Sequence, residues 1–212
     1  MALRYLDEQI AEALLEIGAV SLRPKQPFTW TSGIKSPIYC DNRITISDPS
    51  VRDLIALGFA EKIREMYPDA EVLAGIATGG IPHAAFVAQK LNLPMIYVRD
   101  KAKGHGKENV IEGSLKPGQK VVMIEDLIST GGSSVKASLA VREAGAEVLG
   151  VIAIFSYQLE KAAENFGKPG FAFDSLSNFT ALSKVALKLG KIEQDDMELL
   201  QSWRTNPESF GV

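Results

Sequence analysis

The chain has 212 residues, of which 46% are hydrophobic, a formal net charge of −3 and a single cysteine. This length and apolar content suit one domain with an appendage, and the acidic balance argues against a nucleic-acid partner. Because Cys40 has no second cysteine for an internal disulfide, the composition fits a reducing compartment.

The first predicted element is a packing helix that Gly18 ends. Its apolar positions recur at helical spacing: Leu3, Leu6, Ile10, Ala13, Leu14 and Ile17. Acids are interspersed where a signal peptide would have a charged head and an apolar block. No apolar run reaches the length of a membrane span. We therefore expect a cytoplasmic protein without a membrane partner.

The next stretch, Arg23–Asn42, mixes prolines with aromatic residues. This mixture is typical of short strands joined by turns. We expect residues 1–45 to contribute a small amino-terminal hood over the main sheet. Trp30 and Tyr39 either pack inside this hood or stack on a substrate ring.

A second helix is predicted over Val51–Tyr67, where apolar residues share one face. The pattern then predicts a strand over residues 71–76, a helix over Pro82–Leu91 and a strand over Met95–Val98. The loop between the first strand and its helix contains Thr78-Gly79-Gly80. Such a loop is either an anion site or a tight packing turn.

Residues 99–109, RDKAKGHGKEN, break the apolar pattern with two glycines, four cations and His105. Most charge runs are solvated, mobile loops. A loop that directly follows a strand can also close as a lid and bring its cations to a polyphosphate. The position of this segment favours the lid.

The most informative stretch is Val121–Ser134, VVMIEDLISTGGSS. Four apolar residues predict a buried strand, which Glu125 and Asp126 close. The Gly- and Ser-rich turn that follows leads into a helix, and its backbone N–H groups can hold a phosphate with help from the helix dipole. The two carboxylates suit a neighbouring sugar, because they accept hydrogen bonds from vicinal hydroxyls.

A plain strand–turn–helix connection with solvated acids is the structural alternative. A Walker A loop is excluded, since no Lys precedes Ser133, and a dinucleotide fingerprint is a poor match, since the acids precede the glycines. The whole pattern is more specific than its parts and favours a functional site.

Strands continue to alternate with helices in the rest of the chain. The predicted elements are a helix over Val135–Ala144 capped by Gly145, a strand over Val148–Phe155, a helix over Gln158–Phe166, a strand over Phe171–Phe173, and helices over Leu182–Leu189 and Glu193–Trp203. This alternation predicts an α/β fold with a doubly wound parallel sheet.

The central stretch resembles the phosphoribosyl-pyrophosphate (PRPP) motif of the type I phosphoribosyltransferases. Residues 28–39 and the lid spacing of Arg99, Lys103 and His105 are similar to the branch of that family that uses orotate. The resemblance implies one domain over residues 1–212 that makes orotidine 5′-monophosphate and pyrophosphate in pyrimidine synthesis. It also implies Mg²⁺ bound mainly through PRPP, with no metal ligand on the protein, and a homodimer whose lids reach into the partner's site.

The resemblance further implies a role for each site residue. Glu125 and Asp126 would hold the ribose 2′ and 3′ hydroxyls, and with Lys103 and His105 they form the expected catalytic group. Arg99 would bind the pyrophosphate together with Lys103 and His105. The expected 5′-phosphate cradle, in which Ser129 would also contact orotate, comprises Leu127, Ile128, Ser129, Thr130, Gly131, Gly132 and Ser133.

The sequence departs from the family's pattern at several cations. Better-known members have Lys where this chain has Thr31, Gly79 and Asp100, and no Arg stands at residues 156–158, where some members place one for the orotate carboxylate. The nearby lysines that are candidates to substitute are Lys35, Lys101 and Lys107.

The implied chemistry separates charge. Breaking the anomeric C–O bond leaves oxocarbenium character on the ribose and negative charge on pyrophosphate. Mg²⁺ and the lid cations would stabilise the leaving group, with Lys103 or His105 as proton donor. Two alternatives are transfer to another base, such as adenine or xanthine, and a PRPP-sensing regulator. The amino-terminal signature argues against the first, and the intact lid and acidic charge argue against the second.

Overall fold

The computed structural model describes residues 6–29, 33, 35–100 and 110–210. Its helices are α1 Leu6–Glu16, α2 Pro49–Met66, α3 Gly80–Leu91, α4 Gly132–Glu143, α5 Glu160–Gly167, α6 Phe179–Lys188 and α7 Asp196–Thr205. Its strands are β1 Val20–Leu22, β2 Phe28–Thr29, β3 Lys35–Ser36, β4 Ile38–Cys40, β5 Val72–Ile76, β6 Met95–Val98, β7 Ile111–Glu112, β8 Lys120–Ile128, β9 Glu147–Ser156 and β10 Phe173–Asn178. None of the helices in the described ranges is long and apolar enough to cross a membrane.

Six strands form the central sheet in the order β10-β9-β8-β5-β6-β7. Neighbours from β10 to β6 are parallel, whereas β7 pairs antiparallel with β6 at the edge. The doubly wound α/β prediction is confirmed. It lacked β7, because two residues carry no periodic signal. β8 lies in the interior of the sheet, so its carboxyl end stands where this architecture binds ligands.

Side chains alternate between the two faces of β8 and divide the core. Val122 and Ile124 pack with residues of α1, α2, α3, α6 and α7, whereas Val121 and Met123 pack with residues of α4 and α5. Both faces of the strand are buried, which is why its sequence is continuously apolar. The same alternation directs two consecutive acids toward opposite faces.

Several predicted boundaries are wrong by a few residues. β8 runs to Ile128 because its pairing with β9 continues there, so the two acids lie inside the strand. α3 begins at Gly80, before Pro82, and α7 begins at Asp196. The last strand is Phe173–Asn178, which its polar residues concealed.

The amino-terminal strands form two small antiparallel pairs, β1 with β4 and β2 with β3. α1 instead packs against α6 and β10. A 3-10 segment, Asn42–Ser47, joins β4 to α2 and lies against β8. Asp48 then caps α2, because its Oδ1 accepts the backbone N–H groups of Ser50 and Val51 at 3.0 Å. The assignment of residues 1–45 to a hood stays a prediction.

Candidate active site

Two strand-to-helix loops lie side by side at the carboxyl edge of the sheet. The β5–α3 loop covers residues 77–79, and the β8–α4 loop covers residues 129–131. Their strands are parallel neighbours that pair up to Gly75 and Ile124. The structure therefore brings the predicted phosphate loop next to the loop that the sequence leaves open as an anion site or a tight packing turn.

Glu125 lies on the α4 side of β8, with only 4% of its surface exposed. Its Oε2 accepts a hydrogen bond from Ser134 Oγ at 2.9 Å, and its Oε1 accepts one from the backbone N–H of Asp126 at 3.0 Å. Burial raises the pKa of Glu125 well above its usual range, and the charge of Asp126 raises it further. Both carboxylate oxygens of Glu125 are thus engaged in hydrogen bonds within the protein. The ribose contact of Glu125 stays a prediction.

Asp126 is half-buried on the α3 side of β8. Its backbone oxygen accepts a hydrogen bond from Asn42 Nδ2 at 2.6 Å. Its carboxylate lies against Gly79, and a Cβ added to Gly79 would overlap that carboxylate. Gly79 itself has an ordinary helical backbone, with φ −68°. A side chain at position 79 would therefore have to displace the Asp126 carboxylate.

This contact bears on one departure from the family pattern. A lysine at position 79 is incompatible with the observed place of Asp126, since even the first side-chain carbon would overlap it. Among the candidate substitutes, Lys35 donates a hydrogen bond from Nζ to Thr29 Oγ1 at 2.8 Å. The other candidates and one departure lie outside the described residues: Lys101, Lys107 and Thr31.

The β8–α4 loop is shaped by Gly131, whose φ of +75° lies in the left-handed region. A Cβ at this position would also lie 2.6 Å from the ring of Phe166. Asn165 Nδ2 holds the loop by donating to the backbone oxygen of Thr130 at 2.9 Å. α4 starts directly after Gly131, and the first N–H groups of a helix have no intrahelical acceptor. They are available for an anion.

The predicted phosphate cradle is only partly a loop. Thr130, Gly132 and Ser133 are exposed at its mouth and Ser129 is half-buried. Leu127 and Ile128 lie in β8, and the Ile128 side chain is fully buried in the core. Ile128 can therefore act on a phosphate only through its backbone.

Arg99 stands at the end of β6 beside a cavity of about 290 Å³ between the β5–α3 loop and α4. Its Nε lies 3.1 Å from Glu112 Oε1. Lys136 lines the same cavity and donates from Nζ to the backbone oxygen of Asp100 at 2.8 Å and to its Oδ1 at 3.1 Å. A position that carries Lys in better-known members thus carries an acid here, paired with a lysine from α4. The remaining predicted pyrophosphate ligands, Lys103 and His105, lie outside the described residues.

Residues that the sequence did not single out complete the arrangement: Asn42, Ser134, Lys136 and His83. His83 is 1% exposed on α3, with Nε2 3.3 Å from Thr45 Oγ1. Burial lowers the pKa of His83 to about 4. The one sequence signal for these residues is a polar residue within an apolar pattern. That signal does not indicate which partner the residue contacts. Within the described ranges, no three His, Cys, Asp or Glu side chains cluster to hold a metal ion.

Known proteins resemble the chain in sequence and in structure. The family model for the phosphoribosyl transferase domain matches residues 48–169. The orotate phosphoribosyltransferase of Bacillus cytotoxicus is 56% identical over 202 residues, which are 95% of this chain and 96% of that protein. The crystal structure of orotate phosphoribosyltransferase from Aeropyrum pernix has a TM-score of 0.74 and 30% identity, covering 87% and 99% of the two chains. The Mycobacterium tuberculosis enzyme in complex with PRPP has a TM-score of 0.65 and 25% identity, covering 84% and 99%.

Proposed function

The chain belongs to the orotate phosphoribosyltransferases, and on this premise we propose which of its residues carry out the reaction. The enzyme transfers ribose 5-phosphate from PRPP to orotate, giving orotidine 5′-monophosphate and pyrophosphate. The family and its orotate-named relatives decide against another base and against a non-catalytic regulator. The observation that carries our assignment is the Asp126 carboxylate, set against Gly79 between the two loops.

Asp126 is assigned to the ribose. In the transition state the C1′–O bond to pyrophosphate is largely broken and the sugar ring carries positive charge. A carboxylate at the sheet edge accepts hydrogen bonds from the ribose hydroxyls and stabilises that charge, which is small before the bond breaks. Glu125 keeps Asp126 in place by accepting its backbone N–H.

The 5′-phosphate is assigned to the β8–α4 loop, from Ser129 to Ser133. The left-handed turn at Gly131 and the start of α4 at Gly132 direct backbone N–H groups to one place. Ser129, half-buried directly after β8, is also assigned to orotate.

The leaving pyrophosphate is assigned to the cavity beside Arg99, together with Lys103 and His105 from the lid. Cations there stabilise the negative charge that develops as the C–O bond breaks. Closure of the lid would also exclude water, which otherwise hydrolyses PRPP.

Phosphoribosyltransferases of this family generally use Mg²⁺ with PRPP. Mg²⁺ keeps several waters and commonly binds through one or two carboxylates plus substrate phosphates. Glu125 is engaged by Ser134 and Asp100 by Lys136, so we propose that Mg²⁺ is held mainly by the phosphates of PRPP and that Asp126 serves the ribose. When bound, the metal supplies charge neutralisation to the pyrophosphate.

The assignment of Asp126 is tested by Asp126→Asn, which keeps the shape of the side chain and removes its charge. We expect kcat to fall by at least about 10²-fold, the scale seen when one preorganised electrostatic group is lost. The melting temperature should change little. A kcat near that of the wild type would contradict the assignment, and loss of folding would make Asp126 structural.

A homodimer with lids shared between subunits is also proposed. Each of Lys103→Ala and Asp126→Ala should be nearly inactive alone. If lids act in trans, a mixed dimer contains one site with an intact lid and an intact acid, so refolding the two variants together restores activity. Orotate consumption is compared with each variant refolded alone. No recovery, with heterodimers shown to be present, would rule out the shared site.

A further inference from the structure

Asn42 links the 3-10 segment before α2 to the strand that carries Asp126. Its Nδ2 donates a hydrogen bond to the backbone oxygen of Asp126 at 2.6 Å, and only 1% of Asn42 is exposed. The parallel pairing of β8 with β5 ends at Ile124. The bond from Asn42 therefore holds β8 at a point beyond that pairing, where the strand reaches the edge of the sheet.

A buried hydroxyl holds Asn42 in turn. Thr45 Oγ1 donates to the backbone oxygen of Asn42 at 2.5 Å and lies 3.3 Å from Nε2 of His83. Thr45 is fully buried and His83 is 1% exposed. Because His83 belongs to α3, which starts beside Gly79, the contacts run from α3 through the 3-10 segment to Asp126. The segment that holds the Asp126 backbone oxygen is thus in contact with the helix that begins beside the Asp126 carboxylate.

We propose that Asn42 is a positioning residue that sets the place of the Asp126 carboxylate at the sheet edge. A catalytic group has to be held within about 0.5 Å of its productive geometry by the residues around it. The Asp126 carboxylate lies directly against Gly79 on the α3 side. A shift of the Asp126 backbone would therefore move the carboxylate relative to the ribose. This inference rests on the proposed role of Asp126.

An amide suits this position better than the alternatives. It supplies an N–H donor to the Asp126 carbonyl without adding charge next to a carboxylate. Asn42→Ala removes the donor and leaves a half-buried carbonyl oxygen without it, which is the costly way to lose a hydrogen bond. Asn42→Asp removes the donor and adds a like charge.

A purely structural role for Asn42, as an anchor of the 3-10 segment, predicts different kinetics. Loss of a structural anchor lowers stability and reduces kcat/KM by the same factor in every background. A positioning residue acts through Asp126, so its loss has an effect only while the Asp126 carboxylate is there to be misplaced. A double-mutant cycle separates the two, because residues that act through one group are not additive.

The experiment measures kcat/KM for PRPP in the wild type, Asn42→Ala, Asp126→Asn and the double variant. We expect Asn42→Ala to lower kcat/KM by about 10- to 100-fold in the wild type, the scale of a small misplacement. In the Asp126→Asn background the further loss should be less than about twofold. Equal losses in both backgrounds, or no loss in the wild type, would overturn the inference. Near-normal activity of Asp126→Asn alone would instead overturn the proposed role of Asp126.

Asn178→Ala is the matched control. Asn178 Oδ1 accepts the backbone N–H of Ala181 and caps α6, far in sequence from Asn42. Its loss should lower the melting temperature and leave kcat/KM within about twofold, as expected for a lost cap. If Asn42→Ala does not fold, Thr45→Val removes the hydroxyl that holds Asn42, and the same cycle is run with it. A loss from Thr45→Val that is equal in both backgrounds would also overturn the inference.

Discussion

The β5–α3 and β8–α4 loops both end in Thr-Gly, and a second glycine starts the helix that follows, yet these glycines serve different physical needs. Gly131 adopts a left-handed backbone with φ +75°, which side chains disfavour. Gly79 has φ −68°, and a side chain at this position would have to displace the Asp126 carboxylate. The second glycines differ as well, since Gly80 packs on the Ile124 carbonyl whereas Gly132 has open space around it.

The difference shows that one sequence pattern can build two kinds of site. In the β8–α4 loop, glycine gives the chain a left-handed turn, and we propose that this turn presents backbone N–H groups to a phosphate. In the β5–α3 loop, glycine makes room for an acid that comes from the neighbouring strand. A Gly-Gly pair after a strand therefore indicates a sheet-edge loop and does not by itself indicate which ligand the loop holds.

The largest effect on activity is expected from Gly79→Ala. The added methyl group has to displace the Asp126 carboxylate, so kcat/KM should fall by about 10²-fold or more, while stability changes less. Steady-state kinetics and thermal melting measured together check this. Gly167→Ala is the control, because Gly167 has open space around it. Wild-type kcat/KM in Gly79→Ala would show that Asp126 does not depend on this space.

The next effect, on stability, is expected from Gly131→Ala. A left-handed backbone costs a side chain about 1–2 kcal/mol, and contact with the Phe166 ring adds to that cost. The free energy of unfolding should fall by about 2–3 kcal/mol in denaturant titrations. Gly132→Ala should change it by less than about 1 kcal/mol, since nothing lies near an added Cβ. Equal losses in the two variants would refute the conformational role of Gly131.

A smaller effect, on the pH dependence of stability, distinguishes His83 from Glu125. His83 has a lowered pKa of about 4, so acid protonates the unfolded chain first and stability falls as pH drops from 6.5 toward 4. Glu125 has a raised pKa, so its contribution has the opposite sign and is lost as pH rises. Between pH 7 and 4.5, His83→Gln should lose about 2 kcal/mol less stability than the wild type. Denaturant titrations at both pH values check this, and parallel pH profiles would contradict it.

Much of the fold and of the β8–α4 loop could be predicted from local sequence. Continuous apolar runs such as Val121–Ile124 indicate strands buried on both faces. The turn after β8 could also be predicted, because glycine permits the left-handed backbone that Gly131 adopts, although Gly79 in the same pattern has an ordinary helical φ. β10 is polar and β7 has two residues, so both lack these signals. They form strands because they pair with β9 and β6.

The contacts around Asp126 could not be predicted, because they depend on which segments the fold brings together. Asn42 and Gly79 are far from Asp126 in sequence, and neither belongs to a pattern that names a partner. In particular, comparison with better-known members shows only that Gly79 stands where they have a lysine. In the structure it is the complement of an acid on the adjacent strand.

The most direct test of the account is a crystal structure of the enzyme with orotidine 5′-monophosphate bound. We expect the ribose hydroxyls within hydrogen-bonding distance of the Asp126 carboxylate, which should still lie against Gly79. We expect the 5′-phosphate on the backbone N–H groups that start α4 after Gly131. A phosphate held by the β5–α3 loop, or a ribose that does not contact Asp126, would contradict the division of roles between the two loops.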